Sequence, residues 1–214
     1  ISVHAGMWTS AALSAAPGEV PRLREQVKVT GERFKFDPKG HTGKALNHAF
    51  SVLPYDLLTS FSDDDVARVA TMMTSLVDRP RPRLLLVHAP LGRHVHAVVW
   101  LERDQLSSQM RGRISAMIEQ GSNATVLDWS MHVEAGTIAM LRFVIDVRDA
   151  KTAPDEADLD SQLQALLRGW SEAVEAALRS RGEVARAVAI VDRYAEAFPL
   201  AYRSDYGPPE AAVD

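Results

Sequence analysis

Between Leu84 and Leu178 the hydrophobic period switches between two residues and about 3.6 in an order that few folds accept. Leu84 to His88 is a short, continuously apolar run of the kind a buried strand carries. Pro90-Leu91-Gly92-Arg93 reads as a turn and Val95 to Leu101 as a second strand, so the two predict a hairpin. Ser107 or Ser108 can cap a helix bearing Met110, Ile114, Met117 and Ile118, which Gly121 ends. A clean alternation follows, with Leu127, Trp129, Met131 and Val133 to one side and Asp128, Ser130, His132 and Glu134 to the other. Ala135-Gly136 turns the chain. Leu141, Phe143, Ile145 and Val147 then face a core, with Arg142, Asp146 and Arg148 outward. A single long helix closes the series, striped by Leu159, Leu163, Leu166, Leu167, Trp170, Val174 and Leu178.

The order β-β-α-β-β-α predicts a four-stranded antiparallel sheet with one wet face and two helices over the other. Moving its first strand to the end gives β-α-β-β-α-β, the ferredoxin-like plait. The expected fold class is therefore α+β, a permuted ferredoxin-like sandwich with flanking helices. Regulatory modules of the ACT type are one user of this plait, although a fold alone does not decide function. Ahead of it, Val3 to Trp8 is a candidate strand, and Glu19 to Arg33 and Thr42 to Val52 are candidate helices. Ser62-Asp63-Asp64-Asp65 is a capping pattern opening a helix that must end before Pro80 and Pro82. Three stretches result: 1–79, a strand and helical linker; 80–180, the sandwich; and 181–214, a helix with an irregular tail.

Composition removes whole classes of function. The 214 residues are 46% hydrophobic with a net charge of −4, which is no composition for a disordered chain or a general electrostatic nucleic-acid binder. With no cysteine there is no disulfide framework, no thiolate-held zinc and no thiol nucleophile. No apolar run is long enough to cross a membrane, so the expected setting is cytoplasmic. The sequence opens at Ile1 rather than Met, with residues that already read as folded protein. The expectation is a piece of a larger chain, with trimming of an ordinary N-terminus as the alternative.

Chemistry-bearing patterns are sparse. His94 and His96 share a strand face, and His88 is their candidate neighbour across the hairpin, but no carboxylate sits at a helpful spacing, so no metal site is expected. No G-x-S-x-G, S-x-x-K, H-E-x-x-H, G-x-G-x-x-G or Walker A pattern occurs, so no catalytic residue is assigned and no cofactor is expected here. The strongest ligand candidate is Glu102 to Ser108, which runs from a strand into a helix N-terminus. There Arg103 and Arg111 could grip a carboxylate, Asp104 could take an ammonium group, and Ser107 and Ser108 sit at the helix start. Local ion pairing and capping by the same residues is the competing reading. Trp170 is large enough to anchor an interface instead of a core, and Arg93, in the first hairpin turn, is the second interface candidate.

Six passages, taken in order, resemble one family. Met7-Trp8-Thr9-Ser10 with Pro17-Gly18-Glu19-Val20-Pro21-Arg22-Leu23-Arg24 is similar to the "G-L-[YF]-T-S … S-P-R-E-[IV]-P-L-L-R" passage of the very large bacterial NAD-specific glutamate dehydrogenases. Phe36-Asp37-Pro38, His41, Gly43-Lys44-Ala45-Leu46 and Leu53-Pro54-Tyr55-Asp56 resemble the next stretch. Pro90-Leu91-Gly92-Arg93, the run Arg103 to Arg111, the stretch around Trp170, and Phe198-Pro199-Leu200-Ala201-Tyr202-Arg203 continue it. Glu102-Arg103-Asp104-Gln105 departs from the family's "P-R-D-R". The resemblance implies an ACT-like regulatory segment from the N-terminal half of such an enzyme. Its catalytic lysine, glutamate pocket and NAD-binding domain would lie elsewhere in the parent. The parent would oxidatively deaminate L-glutamate to 2-oxoglutarate with NAD. The implied partners are other domains and subunits of the same homo-oligomer and an amino acid effector, with neither nucleic acid nor membrane. A ligand-free oligomerisation module and a self-contained enzyme of unknown chemistry stand as alternatives.

Overall fold

The computed structural model describes residues 7, 9–11, 15–133, 137–150, 153–199, 202 and 206–214. The strand expected over Val3 to Trp8 and the turn at Ala135-Gly136 fall on residues outside that set, Met7 apart. The chain divides into two compact units, one running to Asp160 and one starting at Ser161.

Among the described residues, four α-helices with described bounds stand ahead of the sheet: α1 (Pro21–Arg33), α2 (His41–Val52), α3 (Tyr55–Ser60) and α4 (Asp63–Asp78). Proline at its first position starts α1, as expected where an N–H would be orphaned anyway. The Ser62 hydroxyl accepts the Asp65 N–H at 3.1 Å and caps α4, with Asp63, Asp64 and Asp65 complementing the positive end of the helix dipole. Gly43 lets α2 approach the preceding turn: a β-carbon there would stand 2.2 Å from the Asp37 carbonyl oxygen.

The sheet follows. Strand β1 (Arg83–His88) pairs antiparallel with β2 (His94–Glu102). Helix α5 (Ser108–Ser122) leads to β3 (Thr125–Val133), and β4 (Ile138–Asp146) returns between β3 and β2. The spatial order β1-β2-β4-β3 is what the plait gives when its last strand is moved to the front, so the expected α+β architecture holds. Helix α6 (Glu156–Leu166) comes next, its first turn capped by Asp155, whose carboxylate accepts the Ala157 and Asp158 N–H groups.

Three expectations are corrected. The face expected to be wet is buried over β1 and β2. Leu85, Val87, Val98, Trp100 and Met140 join Leu46, Phe50, Leu57, Val69 and Leu76 in one core, so α2 to α4 roof that face. The long terminal helix is two helices, α6 and α7 (Trp170–Ser180), because Gly169 ahead of Trp170 adopts an extended N-cap conformation. Helix α5 runs through Gly121 and stops at Asn123, whose left-handed φ of 48° breaks it.

The other face of the sheet carries Leu84, Leu86, Ala97, Val99, Leu141 and Phe143, all buried, and Ile114, Ile118 and Leu159 of α5 and α6 are fully buried in the same unit. The outer edge of β1 is closed by side chains. The Leu84 N–H donates to Asp160 Oδ1 at 2.6 Å and the Leu86 N–H to Glu156 Oε2 at 2.7 Å. Arg83 stands 3.5 Å from Asp160, and Arg68 of α4 donates from one nitrogen to both Glu156 oxygens at 3.0 and 2.9 Å.

The second unit holds α7, α8 (Ala187–Tyr194) and a short α9 (Pro208–Ala211). Val174, Leu178, Ala187, Val191 and Ala211 form its core, with Trp170, Phe198 and Tyr202 packed against them. No helix among the described residues is long and apolar enough to cross a membrane.

Two outcomes follow from this packing. Asp160→Ala leaves a buried strand N–H without its charged acceptor and costs about 2 kcal/mol. Urea denaturation will show the midpoint falling at constant slope, and Asp160→Asn recovers part of the loss. Gly43→Ala costs at least about 2 kcal/mol, because backbone must move to admit the methyl group. The same measurement reads it, with Gly112→Ala in α5, where a β-carbon meets nothing within 4 Å, as a control expected to gain roughly 0.5–1 kcal/mol instead.

Candidate functional site

The five residues expected to hold an effector are placed as follows. Arg103 and Asp104 lie in a single 3-10 turn, Arg103–Gln105, that joins β2 to α5, and both are exposed. The Arg103 N–H donates to the Thr137 carbonyl at 2.8 Å, which ties this turn to the start of β4. Ser107 caps α5, its hydroxyl accepting the Met110 N–H at 3.0 Å, and Ser108 is the first helical residue. Arg111, one turn into the helix, turns toward β3 and lays its guanidinium 4.1 Å from the centre of the Trp129 ring. The structure therefore brings Arg103, Asp104, Ser107 and Ser108 to one helix start, and commits Arg111 to an aromatic face.

Of the two interface candidates, Arg93 is exposed beside Gly92, whose φ of 65° makes the hairpin turn, and its carbonyl accepts the Val147 N–H. Trp170 is half-buried. Its indole donates to the Ala195 carbonyl at 3.1 Å, and its ring meets Phe198 and Tyr202 edge-on. Tyr202 in turn donates to Asp214 at 2.5 Å, which pushes its phenol up to about 12, because the neighbouring carboxylate disfavours the phenolate. Trp170 is thus engaged within the second unit.

The histidines do not converge. His88 pairs opposite Val95, whereas His94 and His96 pair opposite Asp146 and Val144, so His88 faces the other side of the sheet. His96 packs edge-on against Phe61 at 4.8 Å. Asp146 is held down to about 2, first by hydrogen bonds from the Arg148 side chain and then by the Arg148 backbone N–H. No group of three potential metal ligands forms among the described residues.

What sequence reasoning missed lies on β3. Leu127, Trp129, Met131 and Val133 are 39–53% exposed, although Trp129 and Met131 pair opposite the fully buried Phe143 and Leu141. The cause is position: β3 is an edge strand, so its apolar side lies at the margin of the sheet. Side chains cap two of its N–H groups, Glu119 that of Val126 and Asp128 that of Trp129, and no others among the described residues. A register shift between Val126 and Asp128 bends the strand where α5 delivers Glu119. The alternation at 127–133 was visible in the sequence, but the sheet order that leaves it uncovered was not.

The described residues do not have the geometry of a Rossmann dinucleotide site. The sheet is antiparallel throughout, and the strand-to-helix turn at Arg103–Gln105 contains no glycine to let a backbone close on a pyrophosphate.

Comparison with known proteins places this geometry. Residues 83–171 match the ACT2 domain of glutamate dehydrogenase, residues 20–79 its helical motif 1, and residues 176–214 its helical motif 2. The chain is 28% identical over 213 residues to the NAD-specific glutamate dehydrogenase of Halomonas elongata. It is 25% identical over 211 residues to that of Pseudomonas aeruginosa and 25% identical over 225 to that of Mycobacterium tuberculosis. In each case the match takes in 98% of this chain, and the chain spans only 13–14% of the relative's length. The three domain matches in succession, and the full-length alignment to enzymes of one name, make this chain a segment of the NAD-specific glutamate dehydrogenase family.

Proposed function

We propose that this segment is a non-catalytic docking and regulatory module of an enzyme that converts L-glutamate, NAD and water to 2-oxoglutarate, ammonium, NADH and a proton in the cytoplasm. Glutamate oxidation and NAD binding belong to other parts of that enzyme. The observation that carries the reading is the contrast between the two sheet edges. Carboxylates close β1, whereas β3 presents Trp129, Met131 and Val133 on an edge with few capped N–H groups. Exposed apolar residues in a row on a strand edge favour association. The partner is another domain or subunit of the same homo-oligomeric enzyme.

Hydrogen exchange tests this. The β3 amides exchange quickly in the 214-residue chain and become protected in the whole enzyme. Met131→Lys, at an exposed position, leaves the fold of the chain intact and weakens assembly of the whole enzyme by roughly tenfold or more in sedimentation. Equal exchange in both contexts, with unchanged assembly, overturns the docking role.

Amino acid sensing at the start of α5 is a second reading. It is supported by the exposed, oppositely charged Arg103 and Asp104 at a strand-to-helix turn. Calorimetry with aspartate and arginine, on the chain and on the whole enzyme, reads it. Heat that Arg103→Ala abolishes supports sensing, and its absence at millimolar amino acid in both preparations overturns it.

A further inference from the structure

The exposed edge of β3 is regular enough to fix how a partner strand lies on it. The Val147 N–H donates to the Arg93 carbonyl ahead of β2, so the odd-numbered residues of β4 bond toward β2 and the even-numbered ones toward β3. Opposite the latter, Asp128, Ser130 and His132 pair with Val144, Arg142 and Met140 and direct their backbone groups inward. The N–H and carbonyl groups of Trp129, Met131 and Val133 therefore point away from the sheet. The Trp129 N–H fits this pattern, since it donates to Asp128 Oδ1 at 2.8 Å. Side chains alternate across the two faces: Trp129 and Met131 stand on the Phe143 and Leu141 side, Asp128 and His132 on the Val144 and Met140 side.

A strand added here must set its own outward-pointing residues against these. A second copy of β3 does so, antiparallel, only about a two-fold axis that passes through a residue. The possible axes differ in charge. An axis at Asp128 sets carboxylate against carboxylate, and one at Trp129 sets Asp128 against Ser130. Axes at Met131 or His132 carry Asp128 past the end of the strand at Val133. An axis at Ser130 sets Asp128 opposite His132 and Trp129 opposite Met131, each twice. Opposite charges and polar partners directly across a ladder stabilise it and like charges weaken it, and a thioether against an aromatic ring adds to the first. The imidazole can donate an N–H to the carboxylate in either protonation state.

We propose that β3 pairs with β3 of a second copy of this chain, antiparallel about an axis at Ser130, with Asp128 of each copy facing His132 of the other. This pairing rests on the docking role proposed for β3 and names its partner. Trp129 and Met131 of the two strands exchange N–H···O=C bonds. Asp128 with His132, and Ser130 with its own copy, form the closer non-hydrogen-bonded pairs, their Cα atoms about 4.5 Å apart. In the single chain the Asp128 carboxylate occupies the Trp129 N–H. Pairing gives that N–H the Met131 carbonyl of the second copy and frees the carboxylate for the imidazole. One aspartate thus shields the edge of the single chain and selects the register of the paired one. The register shift between Val126 and Asp128, with Glu119 on the Val126 N–H, ends the ladder on that side, and symmetry limits it to 128–132.

Whole enzyme carrying Ser130→Cys tests it. The substitution gives up the 3.3 Å bond from Arg142 Nε and places two thiols across the axis at a separation that a disulfide spans. After mild oxidation, peptide mass spectrometry is expected to find the peptide containing residue 130 joined to itself in most chains. Asp128→Cys, whose two copies lie about 13 Å apart along the ladder, is expected not to join to itself. Asp128→Lys and His132→Asp each weaken assembly roughly fivefold in sedimentation, and the variant carrying both restores it. Damage to the fold by either substitution is not rescued by the other, so the restoration reads the pair itself. Protected β3 amides with no self-joined residue 130, or with no restoration in the double variant, overturn self-pairing and leave docking through β3 in place. Unprotected β3 amides in the whole enzyme overturn both.

Discussion

Two carboxylates on α6 decide what kind of sheet this is. Glu156 and Asp160 sit one turn apart and put their oxygens on the outward N–H groups of Leu86 and Leu84. A strand edge left bare would be a template for another chain, and here it is filled from within. Arg68 holds Glu156 from the far side and Arg83 stands by Asp160, so the first helices, the first strand and the last helix of the unit meet in one charged cluster. The strengths differ within it. The Arg68–Glu156 pair is close to half exposed and contributes little by itself. The two bonds to strand N–H groups are short and largely buried, and their loss would strand donors that water cannot reach. Sealing one edge leaves the apolar row on β3 as the open side of the sheet, and the proposed docking role rests on that contrast.

The roof over the sheet has the same logic. Trp100 is fully buried beneath α2 and α4, and Leu85, Val87 and Val98 join it in a core shared with Leu46, Phe50 and Leu76. Helical motif 1 is thus half of the core of this unit, and the sheet would expose a large apolar face without it. An isolated sandwich cut at residue 80 would lose that partner. The match of residues 20–79 and residues 83–171 to adjoining pieces of one enzyme is what such a shared core requires.

Much of this is legible in the sequence. The Ser62 cap, the β1–β2 hairpin, the Ser107 cap and the strand order implied by β-β-α-β-β-α depend on local periodicity and on chirality, which a single sequence carries. The continuous run Leu84-Leu85-Leu86-Val87 even signalled burial on both faces, against the expectation of one wet side. What was not legible depends on neighbours distant in sequence. The alternation at Leu127, Trp129, Met131 and Val133 has the period of a core strand, and only the placement of β3 at the edge exposes it. Arg111 has the chemistry to grip a carboxylate, yet an indole face lies within its reach and takes it. Gly169 divides a stripe that looks helical throughout, because a stripe records which side is apolar and not whether the axis continues.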